Sequence, residues 1–113
     1  MSPAFSLQAR MIVQLNGENF LGPGRIELLE KIKSTGSISE ASRLMGMSYR
    51  KALHVIDRMN QVYGHDLVLT WKGGAEKGGA KITEMGEILI ARYQEVCLKI
   101  HRLLTLEEPH FNP

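Results

Sequence analysis

The apolar positions in the first half of the chain recur with the three- and four-residue spacing of one helical face. They predict a first helix over residues 25–34, ended by Gly36. A second apolar pattern begins after Ser37, which forms a capping-box pattern with Glu40, and it stops at Gly46. These residues therefore predict two short helices, the second of which is followed by a tight connection.

A third helix is predicted over residues 48–63, directly after the second. Ser48 is a favourable cap, and an apolar stripe runs from Ala52 to Tyr63 before Gly64 takes the position that commonly follows a helix. Its first turn carries donors and no acids, so its front end is basic.

Two regions favour strands instead. Residues 10–16 are rich in β-branched and apolar side chains and stop at an Asn-Gly pair, which predicts a strand followed by a turn. Residues 67–71 and 81–83 predict the two strands of a hairpin. The glycine-rich basic loop between them, residues 72–80, is called the wing below.

The last predicted element is a helix from the cap Thr83 to about Leu106, with a frayed end over residues 107–113. Its apolar positions are spaced four, three, four and three residues apart, which is typical of helices that pair with another helix. This stripe could instead pack on its own domain, but a helix ~35 Å long projects beyond a three-helix body. The predicted dimer interface consists of Leu89, Tyr93, Val96, Ile100 and Leu103.

This order of elements predicts a mainly α fold with a small β-hairpin, a winged helix-turn-helix with a long C-terminal dimerisation helix. We expect residues 1–82 to form the winged helix-turn-helix DNA-binding domain and residues 83–113 the dimerisation helix and tail. In such units the second helix of the pair places its N-terminal residues in the major groove of double-stranded DNA.

Composition and charge add to this interpretation. The chain has 113 residues and a net charge of only +2, too small to indicate a nucleic-acid partner by itself. However, residues 25–60 hold seven basic and four acidic side chains, whereas residues 83–108 hold three and five, so the positive charge is concentrated in the predicted domain. One cysteine excludes an internal disulfide, and no segment resembles a membrane span or a secretory signal, so we expect a cytoplasmic protein.

The predicted DNA contacts have separate roles. Arg50 is the best candidate for a base contact, because a guanidinium can bond both major-groove acceptors of guanine. Lys51, His54 and Arg58 suit phosphates, which set affinity and register. Glycines of the wing allow close approach to a sugar-phosphate backbone, and its lysines add positive charge there. The full predicted set is Ser37, Ser39, Ser48, Tyr49, Arg50, Lys51, His54, Arg58, Lys72, Gly73, Gly74, Lys77, Gly78 and Gly79.

Other interpretations of these residues are weaker or stay open. Gly73 and Gly78 have the separation of a nucleotide-binding P-loop, but that motif's Lys and Ser or Thr are missing. The four histidines are scattered and indicate no metal site, and the pattern indicates no cofactor and no catalytic centre. For Tyr49, packing on the second helix is as well supported as contact with DNA. Trp71 is expected to anchor the wing on the body, with stacking at the edge of the DNA as the weaker alternative, and Cys97 is expected to be a packing residue.

Several stretches together resemble the N-terminal DNA-binding domain of ModE-type molybdate-responsive transcriptional regulators, which is related to the LysR-type winged helix. They cover roughly residues 25–95 and read "RIELLEKIKSTGSISEASRLMGMSYRKALHVIDRMN", "LV", "GG", "KGGA" and "TEMGEILI". The resemblance implies a homodimer with the long last helix at its interface, a recognition helix starting at Ser48 and Tyr49, and a wing from Gly73 to Gly79.

Two departures from that family matter. Members often carry Glu-Arg where this chain has Leu69 and Thr70, so a wing contact from that arginine is absent. Full-length regulators continue into molybdate-binding domains, which these 113 residues do not include, so effector sensing is not carried over.

The sequence therefore predicts a homodimeric, sequence-specific transcriptional regulator with half-sites about one duplex turn (~34 Å) or a multiple apart. We expect Arg50→Ala to relax base preference, and Lys77→Ala to weaken all sequences alike with a salt slope shallower by ~1. The alternative is a protein-interaction module that docks a separate effector-binding subunit. A mobility shift on random duplexes at low salt separates the two interpretations.

Overall fold

The structure, a computed structural model, describes residues 4–73 and 78–112. Its elements are β1 (Val13–Leu15), β2 (Glu18–Leu21), α1 (Pro23–Thr35), α2 (Ile38–Leu44), α3 (Tyr49–Tyr63), β3 (Val68–Trp71), β4 (Gly79–Ile82), α4 (Glu84–Glu107) and a 3-10 turn (Glu108–Phe111). The predicted fold class, mainly α with a small hairpin and a long last helix, is confirmed.

The helix boundaries follow from local capping. Ser37, Ser48 and Thr83 each accept the backbone N–H three residues further on, as the sequence predicted. Gly36 and Gly64 end α1 and α3 with φ of 69° and 83°, a left-handed conformation that side chains disfavour. Each of these helices therefore begins or ends at a residue that satisfies one of its terminal backbone groups.

The chain begins with a hairpin of which the sequence revealed only one strand. β1 and β2 pair in antiparallel fashion around Asn16 and Gly17, whose φ values of 53° and 79° fit a two-residue hairpin turn. The second strand was missed because its four residues show no clear alternation. α1 also begins two residues earlier than predicted, because Pro23 occupies the first helical position, where its fixed φ is favourable.

One core joins all the helices. Leu29 and Ile32 of α1, Met59 of α3 and Leu67 before β3 are fully buried, and Ile90 of α4 packs against the same cluster. The Asn60 side chain accepts the Leu67 N–H at 2.8 Å. Burial of these large apolar side chains fixes α3 and the β3–β4 hairpin on α1.

The hairpin is also bound to the turn between α1 and α2, because the Ala80 N–H donates to the Gly36 carbonyl at 2.9 Å. Its strands pair from Val68 with Ile82 to Trp71 with Gly79. β4 therefore begins at Gly79, whereas the sequence predicted a strand from residue 81, so the last two residues of the wing lie in the sheet.

The N-terminal segment lies along α4. The Tyr93 hydroxyl donates to the Met11 carbonyl at 2.9 Å, and the Leu7 N–H donates to a carboxylate oxygen of Glu108 at 3.2 Å. The rings of Phe5 and Phe111 are 6.0 Å apart. The prediction of a frayed tail is thus wrong for residues 108–111, which form a turn packed on this segment.

The second half of α4 extends beyond the body of the domain. The described residues measure 65 × 33 × 20 Å, with a radius of gyration of 17.5 Å. A compact chain of this length would have a radius near ~13 Å. The buried residues of α4 are Gly86, Ile90 and Tyr93, all in its first half, so the rest of the helix carries exposed apolar side chains.

Tyr93→Phe tests the attachment of α4. Burial raises the pKa of the Tyr93 phenol, which keeps the hydroxyl protonated as a donor to Met11. Losing that bond should lower the free energy of unfolding by about 1 kcal/mol, as measured by urea denaturation at fixed protein concentration. Tyr49→Phe is the matched control, because that hydroxyl is exposed and has no bonding partner within the described residues, and a change below about 0.5 kcal/mol is expected. Equal losses in both variants would contradict this assignment.

Candidate nucleic-acid interface

The N-terminus of α2, the first turn of α3 and the β3–β4 hairpin surround a cleft of about 560 Å³. This cleft joins parts of the chain that are distant in sequence, and Leu53, Thr70 and Ala80 form part of its wall. The predicted DNA-binding residues that line it are Ser37, Ser39, Tyr49, Lys72, Gly73, Gly78 and Gly79. Tyr49 of the helix front thus shares this cleft with both described ends of the wing, whereas Ser48, Arg50, Lys51 and His54 do not line it.

The front of α3 is open to solvent. Tyr49, Arg50, Lys51 and His54 are all exposed, and Tyr49 has 52% of its surface accessible. Across residues 4–73 and 78–112, the side chains of Arg50, Lys51 and His54 have no hydrogen-bond or ion-pair partner. A guanidinium, an ammonium and an imidazole on two successive turns can meet base edges and phosphates together. Ser48 is exposed as well, but its hydroxyl is engaged as the cap of α3.

Arg58 lies further along α3 and is engaged within the chain. Its guanidinium pairs with the carboxylate of Glu18 on β2, with an Nε to Oε1 distance of 2.8 Å, and also donates to Gln61 at 3.0 Å. The structure thus places this predicted phosphate contact where it joins α3 to the first hairpin. We leave it out of the interface that we propose below.

At the N-terminus of α2 only half of the predicted capping box forms. The Ser37 hydroxyl accepts the Glu40 N–H at 3.1 Å, but the Ser37 N–H donates to the Thr35 hydroxyl at 3.2 Å. The Glu40 carboxylate pairs with Arg43 instead, and this hydrogen bond and charge hold the pKa of Glu40 below its usual value. The acid closest to the cleft on α2 is therefore already paired with a cation, while Ser39 stays exposed.

The structure describes the two ends of the wing, residues 72–73 and 78–80. Lys72 and Gly73 are exposed at one end, and Gly78 is exposed at the other. The sequence attributed the glycines to close approach of DNA, but Gly78 has an intramolecular reason, because a Cβ there would lie 2.7 Å from the Trp71 carbonyl oxygen. Two of the predicted contacts, Gly74 and Lys77, lie outside the described residues.

Trp71 and Gly79 face each other across the hairpin. A Cβ at residue 79 would lie 2.6 Å from Cζ2 of the Trp71 ring, so the ring occupies the space that a side chain would need. Gly79 is half-buried, which corrects its assignment to the flexible tip of the wing. Leu53 and Thr70 line the cleft but were not among the predicted site residues. Leu53 follows Tyr49 by one helical turn and therefore lies on the same face of α3.

The predicted dimer stripe lies partly on the face of α4 that packs on the domain and partly on an exposed face. Tyr93 is 7% exposed and Leu89 packs against the core, while Ile100 is half-buried beside the N-terminal segment. Val96 and Leu103 are exposed. Heptad spacing alone did not reveal which neighbouring face the domain itself covers. An exposed set remains, called the outer stripe below, and consists of Met85, Ile88, Val96, Leu103 and Leu106.

Two other kinds of feature are absent from residues 4–73 and 78–112. This part of the chain contains no group of three or more His, Cys, Asp or Glu side chains arranged to hold a metal ion. No helix among the same residues has the length and hydropathy needed to cross a membrane.

No protein-family model matches the chain. The chain is 40% identical over 89 residues to the transcriptional regulator ModE of Yersinia pestis, which covers 77% of this chain and 34% of that protein. It is 39% identical over 89 residues to the DNA-binding transcriptional dual regulator ModE of Escherichia coli K12, with the same coverage. The molybdenum-pterin-binding protein MopB of Rhodobacter capsulatus is 38% identical over 92 residues, or 81% of this chain and 34% of MopB. The chain thus spans about a third of the length of these relatives.

Proposed function

The chain is a homologue of ModE-type transcriptional regulators over about three-quarters of its length, and from that premise we propose that it is a sequence-specific DNA-binding module that acts as a homodimer. The recognition helix, residues 48–63, lies in the major groove and the wing follows the sugar-phosphate backbone. One observation carries this proposal: Tyr49 at the start of α3 and Lys72, Gly73 and Gly78 of the wing line a single cleft.

The front of α3 supplies the base contacts. Arg50 is exposed at the second position of the helix, where its guanidinium can bond the O6 and N7 atoms of guanine. Lys51 and His54 are exposed close by and meet phosphates, which set the orientation of the helix. The acid on this helix, Asp57, lies seven residues beyond Arg50, so the first two turns, which enter the groove, carry no negative charge.

The wall of the cleft formed by Ser39, Lys72 and Gly73 meets the backbone of the duplex. All three residues are exposed. A lysine ammonium and a serine hydroxyl suit phosphate oxygens, and a glycine leaves room for close approach. These contacts contribute affinity that falls with salt but little sequence information. Pairing of Glu40 with Arg43 reduces the repulsion that a nearby carboxylate would otherwise cause.

The outer stripe of α4 supplies the dimer contact. Four of its five members are symmetric about a point between Glu95 and Val96, which relates Met85 to Leu106 and Ile88 to Leu103. If two copies of α4 pair in antiparallel fashion about that point, Met85 lies opposite Leu106 of the partner subunit and Ile88 lies opposite Leu103 of the partner subunit. An interface made of the same patch on both subunits is what a two-fold axis requires.

Charge on the outer stripe is compatible with such pairing. In the middle of α4 Glu95 pairs within the chain with Arg92 at 3.5 Å and with Lys99 at 3.7 Å. Four of the apolar side chains therefore lie toward the two ends of the stripe, and Val96 lies at its centre beside a mixed-charge group. This arrangement permits burial of apolar surface at each end without an unpaired charge between them.

Selection of duplexes from a random pool tests the proposal. We expect recovered duplexes to share a pseudo-palindrome with half-sites about one duplex turn or a multiple apart. A pool that shows no enrichment, together with no mobility shift on random duplexes at low salt, would contradict DNA binding. That outcome would favour the alternative, a protein-interaction module that docks a separate effector-binding protein.

A further inference from the structure

The ring of Trp71 lies directly over Gly79 on the neighbouring strand. A Cβ at residue 79 would be 2.6 Å from Cζ2 and 3.0 Å from Cε2 of that ring. Gly79 does not have a left-handed φ, so its backbone conformation suits any residue. Glycine is therefore required at this position because the Trp71 ring fills the space that a side chain would need.

The same position touches the turn before α2. A Cβ at residue 79 would also lie 3.2 Å from the carbonyl oxygen of Gly36, and that oxygen accepts the N–H of Ala80 at 2.9 Å. Gly36 directly precedes Ser37, the cap of α2. The ring, the start of β4 and the start of α2 thus form one junction at the wall of the cleft.

Trp71 differs from the residues of the core. It is 50% exposed and lines the cleft, whereas the core side chains are at most 7% exposed. The sequence predicted that this residue anchors the wing on the body, and the structure places its ring against Gly79 on the opposite strand of the same hairpin. A half-exposed ring contributes less to global stability than a core side chain, so its removal should alter the wing more than the fold.

We propose that Trp71 is a positioning residue that acts through Gly79: it fixes the wing against the α1–α2 turn, and so sets the spacing between the wing and the front of α3. This inference rests on the DNA-binding function proposed above. The role depends on a fixed spacing because a duplex presents its groove and its backbone at defined separations, so a displaced wing loses backbone contacts while α3 stays in the groove.

A coupled set of variants tests the junction. Gly79→Ala, Trp71→Leu and the double variant are compared in equilibrium binding to a fluorescein-labelled duplex that the parent protein selected from a random pool. Trp71→Phe serves as the conservative variant. Gly24→Ala is the matched control, because a Cβ at that position meets nothing within 4 Å. Urea denaturation of each variant separates a displaced wing from an unfolded domain.

We expect Gly79→Ala and Trp71→Leu each to weaken binding ~10-fold, and the double variant to bind no more weakly than the weaker single variant, because both act through one contact. Trp71→Phe should stay within ~3-fold of the parent, and Gly24→Ala should match the parent. The salt slope of Gly79→Ala should be shallower by ~1, since a phosphate contact of the wing is lost. Losses that multiply in the double variant, or single variants that bind like the parent, would overturn the positioning role.

Trp71 is the one tryptophan of the chain, so its fluorescence reports on the junction without DNA. Acrylamide should quench the free Gly79→Ala protein more strongly than the free parent, because the ring is displaced toward solvent. If the parent binds no duplex, both the proposed function and the positioning role fail. If the parent binds and Gly79→Ala shows neither extra quenching nor weaker binding, only the positioning role fails.

Discussion

Leu103→Lys is expected to convert the proposed homodimer into a monomer and to weaken binding to a two-half-site duplex by ~100-fold or more. Leu103 is 56% exposed and lies on the outer stripe, where a second copy of α4 would cover it. An ammonium placed in that apolar contact loses hydration and lies one helical turn from the positive charge of Lys99. Loss of the second subunit removes the increase in affinity that comes from binding two half-sites at once, a factor of ~10²–10⁴.

The matched control is Leu98→Lys. Leu98 is the same residue type on the same helix and is 49% exposed, but it lies outside the outer stripe, on the side toward Glu27 and Glu30. Sedimentation equilibrium should show a monomer for Leu103→Lys and a dimer for Leu98→Lys. Since both variants add one positive charge, any general electrostatic gain for DNA is the same in each. A dimer that persists in Leu103→Lys, or dissociates equally in both variants, would exclude the outer stripe as the interface.

Arg50→Ala is expected to reduce the difference in binding free energy between the preferred base pair and the others by ~1–3 kcal/mol at one position of each half-site. The change removes the donor pair that distinguishes guanine, while the neighbouring contacts to the backbone remain. Binding to the selected duplex is compared with binding to duplexes that carry single base-pair changes, at one fixed salt concentration.

Lys51→Ala is the companion variant at the next position of α3. It should weaken all duplexes by a similar factor and make the salt slope shallower by ~1, because an ammonium that contacts phosphate carries no sequence information. If Arg50→Ala weakens every duplex equally while Lys51→Ala changes the preferred base, the two roles are reversed. If neither variant alters binding, the front of α3 does not contact the duplex.

Local features of the fold were predictable from the sequence. Ser37, Ser48 and Thr83 cap their helices, and Gly36 and Gly64 end theirs, because each requirement involves residues within one turn. The fold class followed from the order of these elements.

Features that depend on distant contacts were not predictable in this way. β2 was missed, and the start of β4 was placed two residues late, because strands are stabilised by partners elsewhere in the chain. The pairing of Arg58 with Glu18 joins residues 40 positions apart. The ordered turn at residues 108–111 depends on an N-terminal segment about a hundred residues away.

The candidate site was predicted unevenly for the same reason. Its basic helix front was evident, since Tyr49, Arg50 and Lys51 are adjacent in sequence. The face of α4 that stays exposed depends on which face the domain covers, and periodicity alone placed Tyr93 in the dimer stripe although it is buried within its own domain. The roles assigned to individual residues at the DNA remain predictions.

The most direct test of the central claim, that the front of α3 and the wing form one DNA-binding surface, is a titration of the ¹⁵N-labelled protein with its selected duplex, followed by backbone amide shifts. We expect the largest changes together in residues 48–54, at Ser39 and at residues 70–73, with small changes in β1 and β2. Changes confined to α4 or the first hairpin, or confined to α3 with the wing unaffected, would contradict a shared surface.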